Sequence, residues 1–217
     1  MSAAAVADTE IVYPSLTDRL PRPTAGDLKL VEHLGRLGVR QFGDPVLLRP
    51  ATRYVLPREA DQARRAWKHL VGTAARIRRL HDFSNGMGLA APQLGIARQL
   101  VLVAPAGSRA FPLLNPQIID SADESQLDFE GCLSFFHVRA RVPRPAWVIV
   151  RSQRFSGEAM TARFDGDIAR LVCHEIDHLE GRLYLDRLQP DAELVALPAY
   201  RRRQQRRRRR HAARAVA

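Results

Sequence analysis

Two cysteines, Cys132 and Cys173, are all the thiols in 217 residues. So few favour free thiols in a reducing cytoplasm over a structural bridge. The opening stretch MSAAAVADTE has neither a basic segment nor a long apolar one, so it does not read as a secretory signal and a cytoplasmic location is expected. Long apolar runs are missing too. The best, QLVLVAPAG and AWVIV, fall far below the roughly 18 residues that cross a bilayer, so no membrane partner is expected. No internal repeat is visible. What is present, 46% hydrophobic residues over this length, is enough for one globular domain whose core stands without disulfides.

Acidic residues are absent from the C-terminus. Nine arginines (residues 201–203, 206–210 and 214) and no acid lie between Arg201 and Ala217, so most of the net charge of +11 sits in this tail and the body is nearly neutral. In the simplest case such a run is a solvated basic segment. Its charge density also suits phosphate backbones.

Composition divides the rest. Residues 1–30 mix alanine, proline and polar residues without periodicity and read as a flexible N-terminal extension. Residues 31–190 form the main domain, and 191–217 the basic tail. Gly43, Pro45, Pro50 and Pro57 favour turns and short extended pieces at the start of the domain. Over 59–81, Ala63, Ala66, Trp67, Leu70, Ala74, Ile77 and Leu80 recur at three- and four-residue spacing and predict an amphipathic helix. RQLVLVAPA, HVRARV, AWVIV and EAMTARFDG have strand character, LLNPQIID reads as a connection, and DIARLVCHEIDHLEG reads as a helix stopped by Gly181. Order and composition give a mixed α+β domain.

CHEIDHLEG (173–181) carries two histidines four apart. At about 100° per residue, His174 and His178 lie within about 40° of each other, with Glu175 on the flank about 60° from His178. Both imidazoles can face one metal ion, and the carboxylate can face a water beside it. A third ligand is needed. Cys173 is adjacent in sequence but stands about 140° from His178 and reads as a packed core thiol. The extended zinc-protease pattern fails because Tyr184 stands where its third histidine would be, and Glu193, the only glutamate after Glu180, lies among tail residues. Cys132 in FEGCLS remains, as a buried small hydrophobe or as a ligand.

Three segments in order, GMGLAAPQ (86–93), EGCLS (130–134) and HEIDH (174–178), resemble the peptide deformylase family at nearly every letter of its motifs. FGDPVLL (42–48) also looks like its N-terminal turn, so the likeness covers roughly 37–190. The resemblance implies an α+β fold with mixed, largely antiparallel sheets packed around a central helix carrying HEIDH. It implies that Cys132, His174 and His178 bind one divalent metal ion, Fe2+ natively, with Zn2+, Ni2+ or Co2+ also accepted. The implied reaction removes the formyl group from the N-terminal formylmethionine of nascent peptides, giving formate. Glu175 would move the protons, and the side-chain amide of Gln93 and the backbone N–H of Leu133 would face the developing oxyanion.

Gly86, Gly88 and Gly131 would let a substrate backbone approach closely, as a strand adds to a sheet edge, and Met87 and Leu171 would line the methionine pocket. Glu130 and Arg144 either pair behind the metal loop or stay exposed. Phe135, Phe136 and His137 stand where the family commonly has a proline and a glycine or acid, which bears on substrate selectivity. A related enzyme acting on another N-formyl substrate is one alternative. The other is a ribosome- or RNA-binding factor acting through Arg201–Arg214, since the family includes members that dock on the ribosome through a basic C-terminal helix.

Overall fold

The computed structural model describes residues 19–81, 83 and 86–215, so the first 18 residues of the N-terminal extension lie outside the described residues. Helix α1 (Ala25–Arg36) occupies a stretch that reads in sequence as loose extension followed by turns. Thr24 caps it: the hydroxyl accepts from the Asp27 amide at 3.2 Å, and the Asp27 carboxylate accepts from the Thr24 amide at 2.9 Å. Two otherwise open donors are thereby satisfied. An aspartate in place of the usual Glu or Gln, together with Gly26 and Gly35, weakens the helical signal. Leu34 is buried, with Leu30 and Val31 packed beside it, which ties the segment to the core.

Helix α2 (Ala60–Ile77) follows the sequence periodicity, with Ala63, Ala66, Leu70, Ala74 and Ile77 buried on one face. Full burial of each large aliphatic side chain contributes about 1.5–3 kcal/mol. The face rests on a five-stranded sheet of order β1 (Met87–Ala90), β2 (Leu100–Ala104), β3 (Phe111–Ser121), β6 (Trp147–Gln153) and β7 (Ala159–Asp165). A second sheet holds β4 (Ser125–Cys132), β5 (Phe135–Pro145) and β8 (Leu194–Ala196). Neighbouring strands in both sheets run antiparallel.

The central helix α3 (Gly166–Leu179) explains why β2 is apolar at every position. Leu100 and Leu102 point into the cluster beneath α2, while Val101 and Val103 point the other way, into the cluster with Val172, Cys173 and Ile176 of α3. Both faces of this part of the sheet are therefore covered. Gly181 follows the helix at a φ of 73°, and a Cβ there would meet the Arg49 backbone at 2.7 Å. Only glycine suits both demands.

Two further elements differ from the sequence reading. LLNPQIID is strand: Asn115 adopts a φ of 48° and the pairing slips a register there, yet β3 continues beyond it. The Asn115 amide holds both polar groups of the Tyr54 backbone at 2.8 Å, which anchors the bulge. The basic tail is also not separate from the body. It forms helix α4 (Leu197–Ala215), whose first residue is buried in the core and whose Tyr200 ring lies 5.2 Å from that of Phe129. The side chains of residues 207–217 lie outside the described residues. No helix among the described residues is long and apolar enough to cross a membrane.

Candidate active site

Helix α3 sends its apolar face to the five-stranded sheet and its histidines to the opposite side, where the end of β4 arrives. His174 and His178 face each other with ring centroids 5.1 Å apart. Cys132 follows a register shift at the end of β4, and its Sγ lies 3.1 Å from His178 Nε2. One ligand atom from each of Cys132, His174 and His178 falls within 4.8 Å of the others, and all three residues are buried. Cys173 instead packs into the cluster beneath the sheet, where burial pushes its thiol up to about 11.

Burial would raise the Cys132 thiol, but the imidazoles of His178 and His174 outweigh it and hold the thiol well below its ordinary value. Burial likewise opposes the charge on His174, and Cys132 and Glu130 together drive its pKa well above the usual imidazole range. A readily formed thiolate suits a divalent metal ion, which the two imidazoles would bind in their neutral form. Two imidazoles and one thiolate are a candidate three-ligand set of the kind that in catalytic sites leaves a fourth position for water or substrate.

Behind the ligands lies a buried charge network. His174 Nδ1 sits 3.0 Å from a Glu130 oxygen, which leaves Nε2 as its ligand atom. Arg144 donates to both Glu130 oxygens at 2.9 and 3.0 Å, and to Asp177 at 2.6 Å. Glu130 and Arg144 are therefore paired and buried. Arg170 adds a bond to Glu130 at 2.9 Å, and Arg187 one to Asp177 at 2.6 Å. Burial would raise the Glu130 carboxyl, yet hydrogen bonds from His174 and Arg144 bring it down to about 2.

Gln93 approaches from the turn after β1. Its Oε1 accepts from the Ala90 amide at 2.8 Å, which turns its Nε2 toward Cys132 Sγ at 3.5 Å and Ser134 Oγ at 3.3 Å. Glu175 is 2% exposed, and its Oε2 has no hydrogen-bond partner among the described residues. Burial pushes this carboxyl up to about 7. The carboxylate occupies the space beside Gly88, where any Cβ would run into it. At Gly131 a Cβ would run into the Arg139 guanidinium. These two glycines thus make room for side chains of the chain itself.

A cleft of about 570 Å³ opens over the centre. Gly86, Met87, Gly88 and Gln93 line one side, Gly131, Cys132 and Leu133 another, and Leu171, His174 and Glu175 the floor on α3. His178 is fully buried behind it. Of Phe135, Phe136 and His137, only Phe136 borders the cleft; Phe135 packs on Phe42 at 5.3 Å. The sequence reading missed Ser134, Arg170, Asp177 and Arg187. Arg170 was within reach of helix geometry, since it precedes His174 by one turn on the same face. Asp177 and Arg187 depend on β5 and on the segment after α3, and Ser134 on the turn that carries Gln93, which only the fold brings together.

The family model for polypeptide deformylase matches residues 37–193. The chain belongs to the polypeptide deformylase family. The peptide deformylase of Natranaerobius thermophilus is 34% identical over 151 residues, 70% of this chain and 91% of that one. That of Thermotoga neapolitana is 36% identical over 160 residues, 72% of this chain and 90% of the other. A Met-Ala-Ser-bound crystal structure of the class I type b peptide deformylase from Acinetobacter baumannii is 30% identical, covers 69% of this chain and 96% of its own, and superposes with a TM-score of 0.61. This deformylase is accordingly a metal-dependent hydrolase of the N-formyl group. Its α+β architecture is also that of its structural relatives.

Proposed function

We propose that this deformylase acts in the cytoplasm on the N-terminal formylmethionine of nascent polypeptides, releasing formate, with its own Cys132, His174 and His178 as the ligands of one divalent ion. The observation that carries the reading is the convergence of that buried triad with an unpartnered Glu175 oxygen and the Gln93 amide at one cleft. A thiolate with two imidazoles suits Fe2+ as the native ion, with Zn2+, Ni2+ or Co2+ as substitutes. When bound, the ion supplies Lewis acidity to the formyl oxygen and makes an adjacent water more acidic.

The chain's residues do the remaining work. Glu175 takes the proton from the attacking water and delivers it to the leaving amine nitrogen. Gln93 Nε2 and the Leu133 N–H donate to the formyl oxygen as it gains charge. Losing one such donor costs on the order of 3–4 kcal/mol in the barrier. Glu130 fixes the His174 ring, and Arg144 and Arg170 fix Glu130. Met87 and Leu171 form part of the pocket for the methionine side chain, while the Cβ that Gly86 lacks would meet the chain's own Ala104 carbonyl at 2.9 Å. Met-Ala-Ser on the Acinetobacter relative supports a peptide in this groove.

The arginine-rich end of α4 adds a contact with ribosomal RNA. Deleting 206–217 should weaken salt-sensitive ribosome binding while small formyl peptides are still turned over. The chemistry itself is tested by Glu175→Gln. One metal per chain should remain while formate release from a formyl-Met peptide falls by about 10²–10⁴-fold. Retained turnover would refute the role of Glu175.

A further inference from the structure

The cleft, at about 570 Å³, is larger than a formylmethionine needs, and its far wall comes from an unexpected place. Tyr200, Arg201 and Gln204, all from the first two turns of α4, line the same cleft as the metal ligands. The wall is built rather than incidental. Tyr200 packs against the first core cluster, its ring lies 5.2 Å from that of Phe129, and its hydroxyl accepts from Gln204 Nε2 at 3.0 Å. Leu197, buried in the same cluster, anchors the start of the helix.

The sheets show how a peptide would reach this wall. β1 and β4 are edge strands of the two sheets, and both border the cleft. A peptide laid along such an edge advances about 3.3 Å per residue. Phe129 stands three residues before Cys132 on β4, about 10 Å from it along the strand. With the formyl group at the metal centre and methionine in its pocket, the second and third residues of the peptide come level with Phe129 and Tyr200.

Charge at this end is predominantly positive. Arg139 is partly buried, spends its Nη1 on the carbonyls of Phe136 and Val138, and has no carboxylate partner among the described residues. Arg201 is exposed and likewise has none among them. Of the cleft's remaining acids, Glu130 is held by Arg144 and Arg170 and Asp167 begins α3 one turn before Arg170, while Asp128, beside Phe129, accepts from the Phe129 amide at 2.7 Å, so two arginines stand against one carboxylate at this end.

Resting on the deformylase reading, we infer that the first turns of α4 form a specificity wall in which Arg201 favours formyl-Met peptides carrying an acidic side chain at the second or third residue. The helix that carries the basic run is thus also part of the substrate groove.

The test compares kcat/KM of the full-length, iron-loaded enzyme on formyl-Met-Ala-Glu, formyl-Met-Ala-Lys and formyl-Met amide, for wild type, Arg201→Gln and Arg201→Glu. Wild type should prefer the glutamate peptide over the lysine peptide by about five-fold, Arg201→Gln should bring the ratio near one, and Arg201→Glu should invert it. Arg206→Glu, on the same helix but outside the cleft, should keep the wild-type ratio. A wild-type ratio of one, or a ratio unchanged in Arg201→Glu, overturns the inference. An equal fall on all three substrates also overturns it, because the helix would then act only as scaffold. Failure of the deformylase reading shows separately, as wild-type enzyme that releases no formate from formyl-Met amide.

Discussion

Glu130→Gln is the most informative change behind the centre. The substitution keeps the side-chain shape and one acceptor oxygen but removes the negative charge shared by Arg144, Arg170 and His174. The Glu130 carboxyl is brought from 4.5 to about 2 in the folded protein. At about 1.4 kcal/mol per unit this corresponds to about 3 kcal/mol, at the lower end of the 3–5 kcal/mol typical for breaking a buried ion pair. Arg144 retains its bond to Asp177, which keeps the loss from being larger. For a chain of this size the melting temperature should fall by roughly 6–12 °C. Thermal denaturation of the metal-free protein isolates this effect from ligand binding. A chelator competition on the loaded protein should then show metal affinity weakened by about 10–100-fold, because His174 loses its orienting partner. A melting shift below about 2 °C with unchanged metal affinity would refute the idea that this network supports the ligand set.

Gly88→Ala places a methyl group where the Glu175 carboxylate lies, so formate release should fall by at least about 10²-fold while metal content is kept, a pairing that activity and metal assays read together. Phe136→Ala removes a side chain only 2% exposed and should cost about 3–5 kcal/mol in urea denaturation. In chelator-stripped protein, iodoacetamide should label Cys132, which borders the cleft, and spare Cys173, which lies under the sheet; peptide mapping identifies the site. Gln93→Ala should lower kcat by about 10²–10³-fold with metal content intact, which single-turnover formate measurements resolve.

Much of the site is legible in the sequence because helix geometry is local. The four-residue spacing of His174 and His178 and the exclusion of Cys173 follow from 100° per residue, and the structure places them so. Cys132 needed the resemblance of its motif, since no periodicity links a residue at the end of β4 to one on α3. α2 was visible because its apolar stripe is uninterrupted. α1 was not, because its cap is an Asp box and two glycines dilute the pattern, and β3 was hidden by Asn115–Pro116, which imitate a turn within a bulged strand. The reasons for Gly88 and Gly131 were also beyond sequence. Glu175 and Arg139, the side chains that fill the space beside them, are 87 and 8 residues away. Composition marked the arginine run but not the return of its first turns to the cleft, because that depends on β8 pairing with β5.

The central claim is that Cys132, His174 and His178 hold one ion that serves deformylation. Protein purified without oxygen and loaded with ferrous iron should carry one ion per chain and release formate stoichiometrically from formyl-Met-Ala-Ser, while Cys132→Ala should lose both the ion and the activity. Wild-type protein with its ion in place that leaves the formyl group untouched would contradict the account.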